Sequence, residues 1–418
     1  MSETLVKVNL SEMRPAGNGT ETIDQVIEIT NAFLEVGQFA FPEVEKTLEV
    51  IAGFGKLIQA LSGVVPEEED PVMKKLGELE GKIDMLANKM EAKFADLKAF
   101  MTEIKFNGDV VQPTTILMQY MRDSFHHPSQ KGTDNFLDCY NKNKPLQLAY
   151  TVMSLLKQDS TNPLKKAMEA DLIKTSTTFD KWHNTISAIL GQFLFIEAYA
   201  SGVQGSKDAY DRDRMKDNSK KVFADMDRWR DEYQKSDGYW KGLKQYVQEF
   251  QEQTSGLSHS DRADKLIGIL GTIMAPDALY LIISDSSPNI NDFGIYKGAD
   301  DQIMESYERA GCNIIVYRSK KANTSSLDDF WAIQHAVEDC REGRLQSANT
   351  CSGFPGELRD NPIKNAGMIL TIWTVRHPEV RSCLTPGHQW GPGYWNKIIA
   401  SETRWYMKKE LMLVAGML

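Results

Sequence analysis

The sequence predicts a mainly α fold: an N-terminal multi-helix bundle with long helices, followed by a smaller α/β domain. Three observations predict it. Leu76, Ile83, Met90, Leu97 and Ile104 stand seven residues apart, and Leu79, Leu86 and Phe100 form the second line of the same frame, broken only at Lys93. That spacing gathers the apolar side chains on one stripe of a helix. The stretch from Ile186 to Val203 is apolar on nearly every side, the pattern of a helix at the centre of a bundle. After Gly256 the pattern changes to short continuous apolar runs, which read as buried strands.

Taken in order, residues 1–19 read as a flexible lead. Thr20 or Thr22 caps a first helix reaching about Val36, with Ile23, Val26, Ile27, Phe33 and Leu34 on its apolar face. Phe39 to Val65 is the most apolar amphipathic segment, carrying Phe41, Val44, Leu48, Ile51, Phe54, Leu57, Ile58, Leu61 and Val64 together with Gly53, Gly55 and Gly63. Its glycines weaken a helix by about 1 kcal/mol each and permit close helix approach. Residues 66–71 (Pro-Glu-Glu-Glu-Asp-Pro) are a linker, and the heptad helix follows. Further helices fall at about 110–126, 145–158, 162–175 and 177–202, punctuated by Pro113, Pro128, Pro145 and Pro163. A second heptad helix runs from about 206 to 254. Met226, Tyr233, Trp240 and Val247 form one of its lines and Val222, Trp229, Leu243 and Phe250 the other, with a break at Ser236 and a bend expected at Gly238. The two heptad helices are expected to partner one another inside one bundle spanning 20–255. In 256–418, strands are expected at Ala278–Ile283, Asn313–Tyr317 and Met368–Val375, with a helix at Ser326–Glu342 and a docking helix from Trp395 to Leu418. Continuous apolar strands alternating with helices favour an α/β layer over an antiparallel sandwich.

Composition narrows the function classes. The chain has 418 residues, 41% hydrophobic and 25% charged, the balance of a folded soluble protein. Its net charge of -10 argues against a nucleic-acid partner, which calls for a basic face. The first twenty residues lack a charged start followed by an apolar run, so no secretory signal is expected and the soluble form is expected in the cytoplasm, with non-classical release open to it. Of the 5 cysteines, Cys312, Cys340, Cys351 and Cys383 lie late in the chain and Cys139 stands apart; they read as mostly reduced thiols.

Residues for catalysis are sparse. Gly77, Gly81 and Lys82 imitate a phosphate loop, but the spacing is one residue short, Ile83 replaces the hydroxyl, and the motif sits inside the heptad helix. Gly53-Phe54-Gly55 lacks both a third glycine and a preceding strand. His126-His127 reads as a helix end. Cys351, His377, Cys383 and His388 match no compact zinc spacing. Asp285, with Ser286 and Ser287, follows the first strand, where α/β sheets place sites but plain turns also place acids. No catalytic residue, metal or cofactor is therefore expected, and an enzyme of residues 256–418 remains the third reading of this chain.

The order of segments in residues 20–255 carries a resemblance. An apolar glycine-containing helix is followed by an acidic linker, a coiled helix beginning at Met73 (Met-Lys-Lys-Leu-Gly-Glu-Leu-Glu-Gly-Lys-Ile-Asp-Met-Leu), an apolar central helix and a long charged helix. This resembles the helical-bundle proteins related to jellyfish pore-forming toxins and to the fish rapunzel proteins. Their bundle is similar to the pore-forming domain of insecticidal crystal toxins. The resemblance implies membrane binding, oligomerisation and pore formation by a helical hairpin. The departures are the absent signal and an α/β reading of 256–418 where crystal toxins carry β-rich receptor domains.

The expected function is thus a membrane-acting, pore-forming-like protein whose closed bundle is soluble and associates with membrane on activation. The insertion-prone residues are Phe41, Val44, Leu48, Ile51, Phe54, Leu57, Ile58 and Leu61 in the first segment and Ile189, Leu190, Phe193, Leu194 and Ile196 in the central one. The frame that must separate is Leu76, Leu79, Ile83, Leu86, Met90, Leu97, Met226, Trp229, Tyr233 and Trp240. Partners would be membrane lipid or a cell-surface or other partner protein, and further copies of the chain; residues 256–418 would recognise a partner or restrain the bundle. The alternative is a cytosolic scaffold whose helices form a rigid interaction surface.

Overall fold

The structure is a computed structural model. It describes residues 19–36, 44–62, 71–95, 101–126, 128–205, 210–286, 293–320, 328, 331–332, 335, 366–374, 376–383, 394–404 and 407–417. The chain is mainly helical, with a smaller part of mixed helix and sheet at the C-terminal end. Contacts divide it into two units: residues 1–170 with 177–231, and residues 171–176 with 232–418.

The first unit holds α1 (Gly19–Val36), α2 (Val44–Leu61), α3 (Pro71–Ala95), α4 (Met101–Phe106), α5 (Gln112–His126), α6 (Gln130–Lys142), α7 (Pro145–Lys157), α8 (Pro163–Ala170), nearly all of α9 (Ser176–Gln204) and most of α10 (Tyr210–Lys235). A π-helical turn, Asn107–Val111, joins α4 to α5. Pro113 accounts for it. Proline has no amide to donate and its ring clashes with the carbonyl four residues back, so the turn widens. Thr114 Oγ1 donates to the Val110 carbonyl at 2.6 Å, one turn back. Ser129 caps α6, its hydroxyl accepting from Gly132 N at 3.1 Å, and Pro145 takes the first turn of α7, where no amide partner is needed.

The heptad helix α3 buries Leu76, Leu79, Ile83 and Leu86. It packs against α1 and α5 rather than against the second heptad helix. Ion pairs rim the seams: Lys75 with Asp24 of α1, and Arg122 of α5 with Asp84 at 2.6 Å. Met90 lies on α3, but its side chain and all of Leu97 lie outside the described residues. Ile104 leaves the stripe, standing 64% exposed on α4.

The second heptad segment is divided. α10 ends at Lys235 and α11 (Gly238–Gln253) begins after Ser236-Asp237, so the expected bend is a full break. Ser236 carries no apolar group to keep the stripe buried, and its hydroxyl accepts from Gly238 N at 3.1 Å, stabilising the turn. Val222, Met226 and Trp229 are buried in the first unit, while Leu243, Val247 and Phe250 are buried in the second and Trp240 is half-buried there. The division therefore falls at 231/232, not at the composition change near 256, because the α11 stripe covers a sheet.

In the second unit, α12 (His259–Leu270) follows α11. The strands are β1 (Ala278–Asp285), β2 (Phe293–Lys297), β3 (Ile303–Arg309), β4 (Cys312–Ser319), β5 (Ala366–Thr374), β6 (Glu379–Cys383), β7 (Tyr394–Arg404) and β8 (Met407–Met417). They form two sheets, ordered β3-β4-β1-β6 and β2-β5-β8-β7, in which each named pair is antiparallel. Tyr280, Ile282, Ile315 and Tyr317 of the first sheet pack on Met368, Leu370, Met412 and Val414 of the second. On the other face, Leu279, Leu281, Ile283, Ile314 and Val316 pack against Leu243 and Val247 of α11 and Leu266 of α12. The arrangement is helix layer, sheet, sheet, and it corrects the expectation against an antiparallel sandwich. β1 and β4 are buried on both faces and so read as continuous apolar runs, as parallel strands do.

Residues from Trp395 onward, expected to be helical, are the β7–β8 hairpin. A short apolar run such as Leu411–Ala415 fits either period, and pairing with β5 decides it. Of the helix expected at 326–342, the described residues Asp328, Trp331, Ala332 and His335 are helical and the rest lies outside the described residues.

Candidate functional site

The candidate site is the interior of the first unit, around α9. This helix is buried along nearly its whole length: Ile186, Ile189, Leu190, Phe193, Leu194, Phe195, Ile196, Ala198 and Tyr199 are all at most 2% exposed. It is one helix long and apolar enough to cross a membrane among the described residues. The same pattern marks a soluble core helix, so contacts must tell what the sequence cannot.

α2 buries the face Leu48, Ile51, Phe54 and Ile58, at helical spacing, and leaves Glu45, Lys46, Glu49 and Lys56 exposed. Leu57 and Leu61 are half-buried; Phe41 and the Val44 side chain lie outside the described residues. Where α2 meets α9, both chains present glycine. A Cβ on Gly202 would lie 2.0 Å from the Ala52 carbonyl oxygen, and one on Gly55 would lie 2.3 Å from the Tyr199 carbonyl oxygen. Backbone touches backbone here, a fit that only glycine allows. Beside the crossing stands an aromatic group. Phe54 of α2 meets Tyr199 of α9 at 5.6 Å between ring centroids and Phe125 of α5 at 5.5 Å, and Phe136 of α6 meets Tyr199 at 5.1 Å. The Tyr199 hydroxyl is 2.7 Å from Ser124 Oγ, so its buried polar tip is satisfied.

On a different side of α9 lies Glu197, 5% exposed. The Tyr140 hydroxyl of α6 lies 2.9 Å and 3.0 Å from its two oxygens. Burial raises the Glu197 carboxyl to about 7; the Tyr140 hydrogen bond and the cations Lys144 and Arg212 pull it down, while Asp211 pushes it up. Other polar groups on α9 are buried too. Thr185 Oγ1 and Ser187 Oγ donate to carbonyls one turn back, at 2.8 Å and 2.6 Å. Gln192 Nε2 has no hydrogen-bond partner among the described residues. At the start of α9, Asp180 pairs with Arg230 of α10 at 2.8 Å, and the Arg230 guanidinium lies over the Phe179 ring at 4.5 Å. His183 is held below the ordinary histidine range by burial and by Arg230.

The second unit has its own polar clusters. Arg262 is 2% exposed, and its guanidinium donates to the Thr254 and Ala310 carbonyls and lies 2.8 Å from Cys312 Sγ. Arg318 is likewise buried, stacked on Trp240 at 4.3 Å, donating to the Asp301 carbonyl, with Asp237 and Asp277 carboxylates at 3.8 Å. Both brace backbone and sheet. Asp285 ends β1, 3.5 Å from His259. His126 pairs with Glu80 and His377 with Glu410. Burial raises Cys383 to about 11. Cys340, Cys351 and His388 lie outside the described residues, and no group of three or more metal-ligating residues occurs among the described ones.

Residues 74–405 match the family described as protein of unknown function (DUF684). The chain belongs to that family. No curated protein and no solved structure matches it. The DUF684 match begins inside α3 and ends just past β7, so it takes in the central helix and β1 to β7 and stops short of β8.

Tyr140, Ser124 and the pairing of Gly55 with Gly202 went unnoticed in the sequence. Glycine in a strongly apolar helix is the signal available for the crossing, and Gly55 carries it. Nothing in the local pattern couples Tyr140 to Glu197, which lie 57 residues apart.

Proposed function

We propose that the helical unit of this DUF684 protein is a membrane-acting, pore-forming-like bundle, soluble while closed, which opens on a bilayer and oligomerises there. α9 is the observation that carries this reading. From Asn184 to Gln204 it has one acidic or basic residue, Glu197. At about 1.5 Å per residue this stretch spans roughly 30 Å, the thickness of a bilayer's hydrocarbon core. α2 is its natural companion, since the Gly55–Gly202 crossing is the small-residue contact that helices also use to pack in lipid, where no hydrophobic force drives them together. The exposed charges of α2 would then face other copies or water, which makes oligomerisation part of the reading. Closed, the protein resides in the cytoplasm; open, it is bound to membrane lipid.

The test is flotation of the purified chain with vesicles of neutral and of anionic phospholipid, combined with release of a trapped dye. Co-flotation with release supports the reading; a protein that stays in solution under every lipid and pH condition refutes it. A second reading, an interaction protein, draws support from apolar side chains in the open: Met101 (87%) and Ile104 (64%) on α4, and Ile116 and Tyr120, one turn apart, on α5. Self-association without lipid that is lost on Ile104→Glu and Ile116→Glu would favour it.

A further inference from the structure

We propose that the Glu197 carboxylate is a proton-operated latch on α9: charged, it works against the closed bundle, and its protonation is the step that lets α9 pass from protein into lipid. The geometry stands on three facts. Glu197 is the one acidic or basic group in the apolar stretch of α9. It is 5% exposed. Both its oxygens lie within hydrogen-bond reach of a single neutral donor, the Tyr140 hydroxyl. The titratable and charged groups around it are Tyr140 of α6, Lys144 in the α6–α7 link, and Asp211 and Arg212 at the start of α10. Lys144 lies 3.7 Å from Asp211, so that cation is shared between two acids. A cation held wholly by Glu197 would have kept the carboxylate ionised at low pH; here burial prevails.

The direction follows from linkage. A carboxyl whose closed-state value is raised holds its proton more tightly in the bundle than in water. Between 4.5 and about 7 the closed state therefore loses stability as pH rises, and above 7 the whole penalty is present. Lipid opposes the charged form more strongly still, so entry of α9 into a bilayer takes up a proton and is favoured as pH falls.

The experiment has two arms, with the full chain in both. The first uses no lipid and follows hydrogen exchange of α9 amides from pH 5 to 9, corrected for intrinsic chemistry. Protection in the wild type falls as pH rises from 5 towards a midpoint near 7, by up to about 100-fold, roughly tenfold for each pH unit, and levels off above it, while in Glu197→Gln only the contribution of the histidines remains. Comparison with Glu197→Gln removes the contribution of the histidines. Tyr140→Phe, which keeps the acid and removes its donor, moves the wild-type midpoint to higher pH. A wild-type profile that follows that of Glu197→Gln, or a midpoint unmoved in Tyr140→Phe, overturns the latch. The second arm follows dye release from vesicles of phosphatidylcholine and phosphatidylserine, and this half rests on the membrane reading. Release by the wild type increases as pH falls from 9 towards 7 and levels off below it, while Glu197→Gln releases equally at pH 8 and pH 6. Absence of release at every pH in both proteins refutes the membrane reading, and with it lipid entry, and leaves the first arm to decide the latch in solution.

Discussion

Replacing Gly202 by alanine tests whether α2 and α9 are held by backbone contact. The added Cβ would meet the Ala52 carbonyl oxygen at 2.0 Å and Gly55 Cα at 3.0 Å, where ordinary contacts begin at 3.4 Å. Both obstacles are main chain, so no rotamer relieves them and the helices must part locally by more than 1 Å. A gap of that size forfeits up to half of the dispersion energy of the side chains that line it, among them Phe54 and Ile51. Overpacking of this kind costs about 1–3 kcal/mol, and backbone against backbone belongs at the upper end. Alanine returns about 1 kcal/mol of helix propensity, leaving a net loss of about 2 kcal/mol. Gly55→Ala is expected to lose a similar amount, its Cβ lying 2.3 Å from the Tyr199 carbonyl oxygen. Once one alanine has parted the helices the second finds room, so the double variant loses clearly less than the sum. Gly53 supplies the control: it lies on the same helix with nothing within 4 Å of its Cβ, and Gly53→Ala gains up to about 1 kcal/mol. A chain of two units has no single unfolding midpoint, so the assay is hydrogen exchange of the α2 and α9 amides. Equal protection in Gly202→Ala and Gly53→Ala would refute the close crossing.

The remaining predictions bear on buried polar groups and one turn. Ser124→Ala leaves the Tyr199 hydroxyl buried without its partner and costs about 1–3 kcal/mol, whereas Tyr199→Phe, which leaves Ser124 its bond to the Met121 carbonyl, costs less; urea titration followed by exchange in α9 orders them. In the second unit, Ala310 and Gly311 form the two-residue β3–β4 turn with φ of 49° and 77°, a pair of positive values that favours asparagine over alanine in the first place. Ala310→Asn is expected to stabilise that unit by about 0.5–1 kcal/mol, read as a higher urea midpoint for protection of β4. Arg262→Met removes the donor to the Thr254 and Ala310 carbonyls and is expected to lower protection of the same hairpin by about 1 kcal/mol, since the half-buried Ala310 carbonyl loses that bond while the Thr254 carbonyl keeps the Leu257 amide.

Helices were legible where one face alone carries the apolar residues. The stripe of α3 from Leu76 to Leu86 and the all-round apolarity of α9 follow from spacing and match burial, and on α2 Leu48, Ile51, Phe54 and Ile58 are buried while Leu57 and Leu61 are half-buried. The partners of those faces were not legible, because a stripe states that something covers it and not what. α3 finds α1 and α5, while the second heptad run serves two units through a break at Ser236-Asp237. The sheets show the same limit. β1 and β4 lie between helices and a second sheet, so their alternation is erased, while β6, with Arg381 and Glu379 at its exposed side, looks too polar to be a strand until its pairing with β1 is seen. At the candidate site Glu197 was visible only as an interruption. Its chemistry comes from Tyr140, Lys144, Asp211 and Arg212, all distant in sequence.

α9 itself separates the two leading functions by what it retains. A helix serving only to fill a bundle is most stable with an apolar residue at each buried position, since replacing buried charges by well-packed hydrophobics is often neutral or stabilising. α9 instead buries Gln192, whose Nε2 has no hydrogen-bond partner among the described residues, and Glu197, whose ionised form opposes the fold above pH 7. Its tightest contact is a glycine pair, which trades packing volume for close approach. The two buried polar groups lower the free energy needed to remove α9 from its seat in water, and neither is required by a scaffold whose stiffness depends on a stable core. Under the proposed membrane reading, the glycines would keep α2 and α9 together in lipid, and the polar groups Gln192 and Glu197 would give the inserted pair a face for water or for another copy. Glu197→Leu therefore divides the readings. In a scaffold it stabilises the bundle at pH 8 and leaves self-association intact. In a membrane-acting bundle it stabilises the closed state at that pH and, by removing the polar face, lowers the dye release obtained per bound molecule.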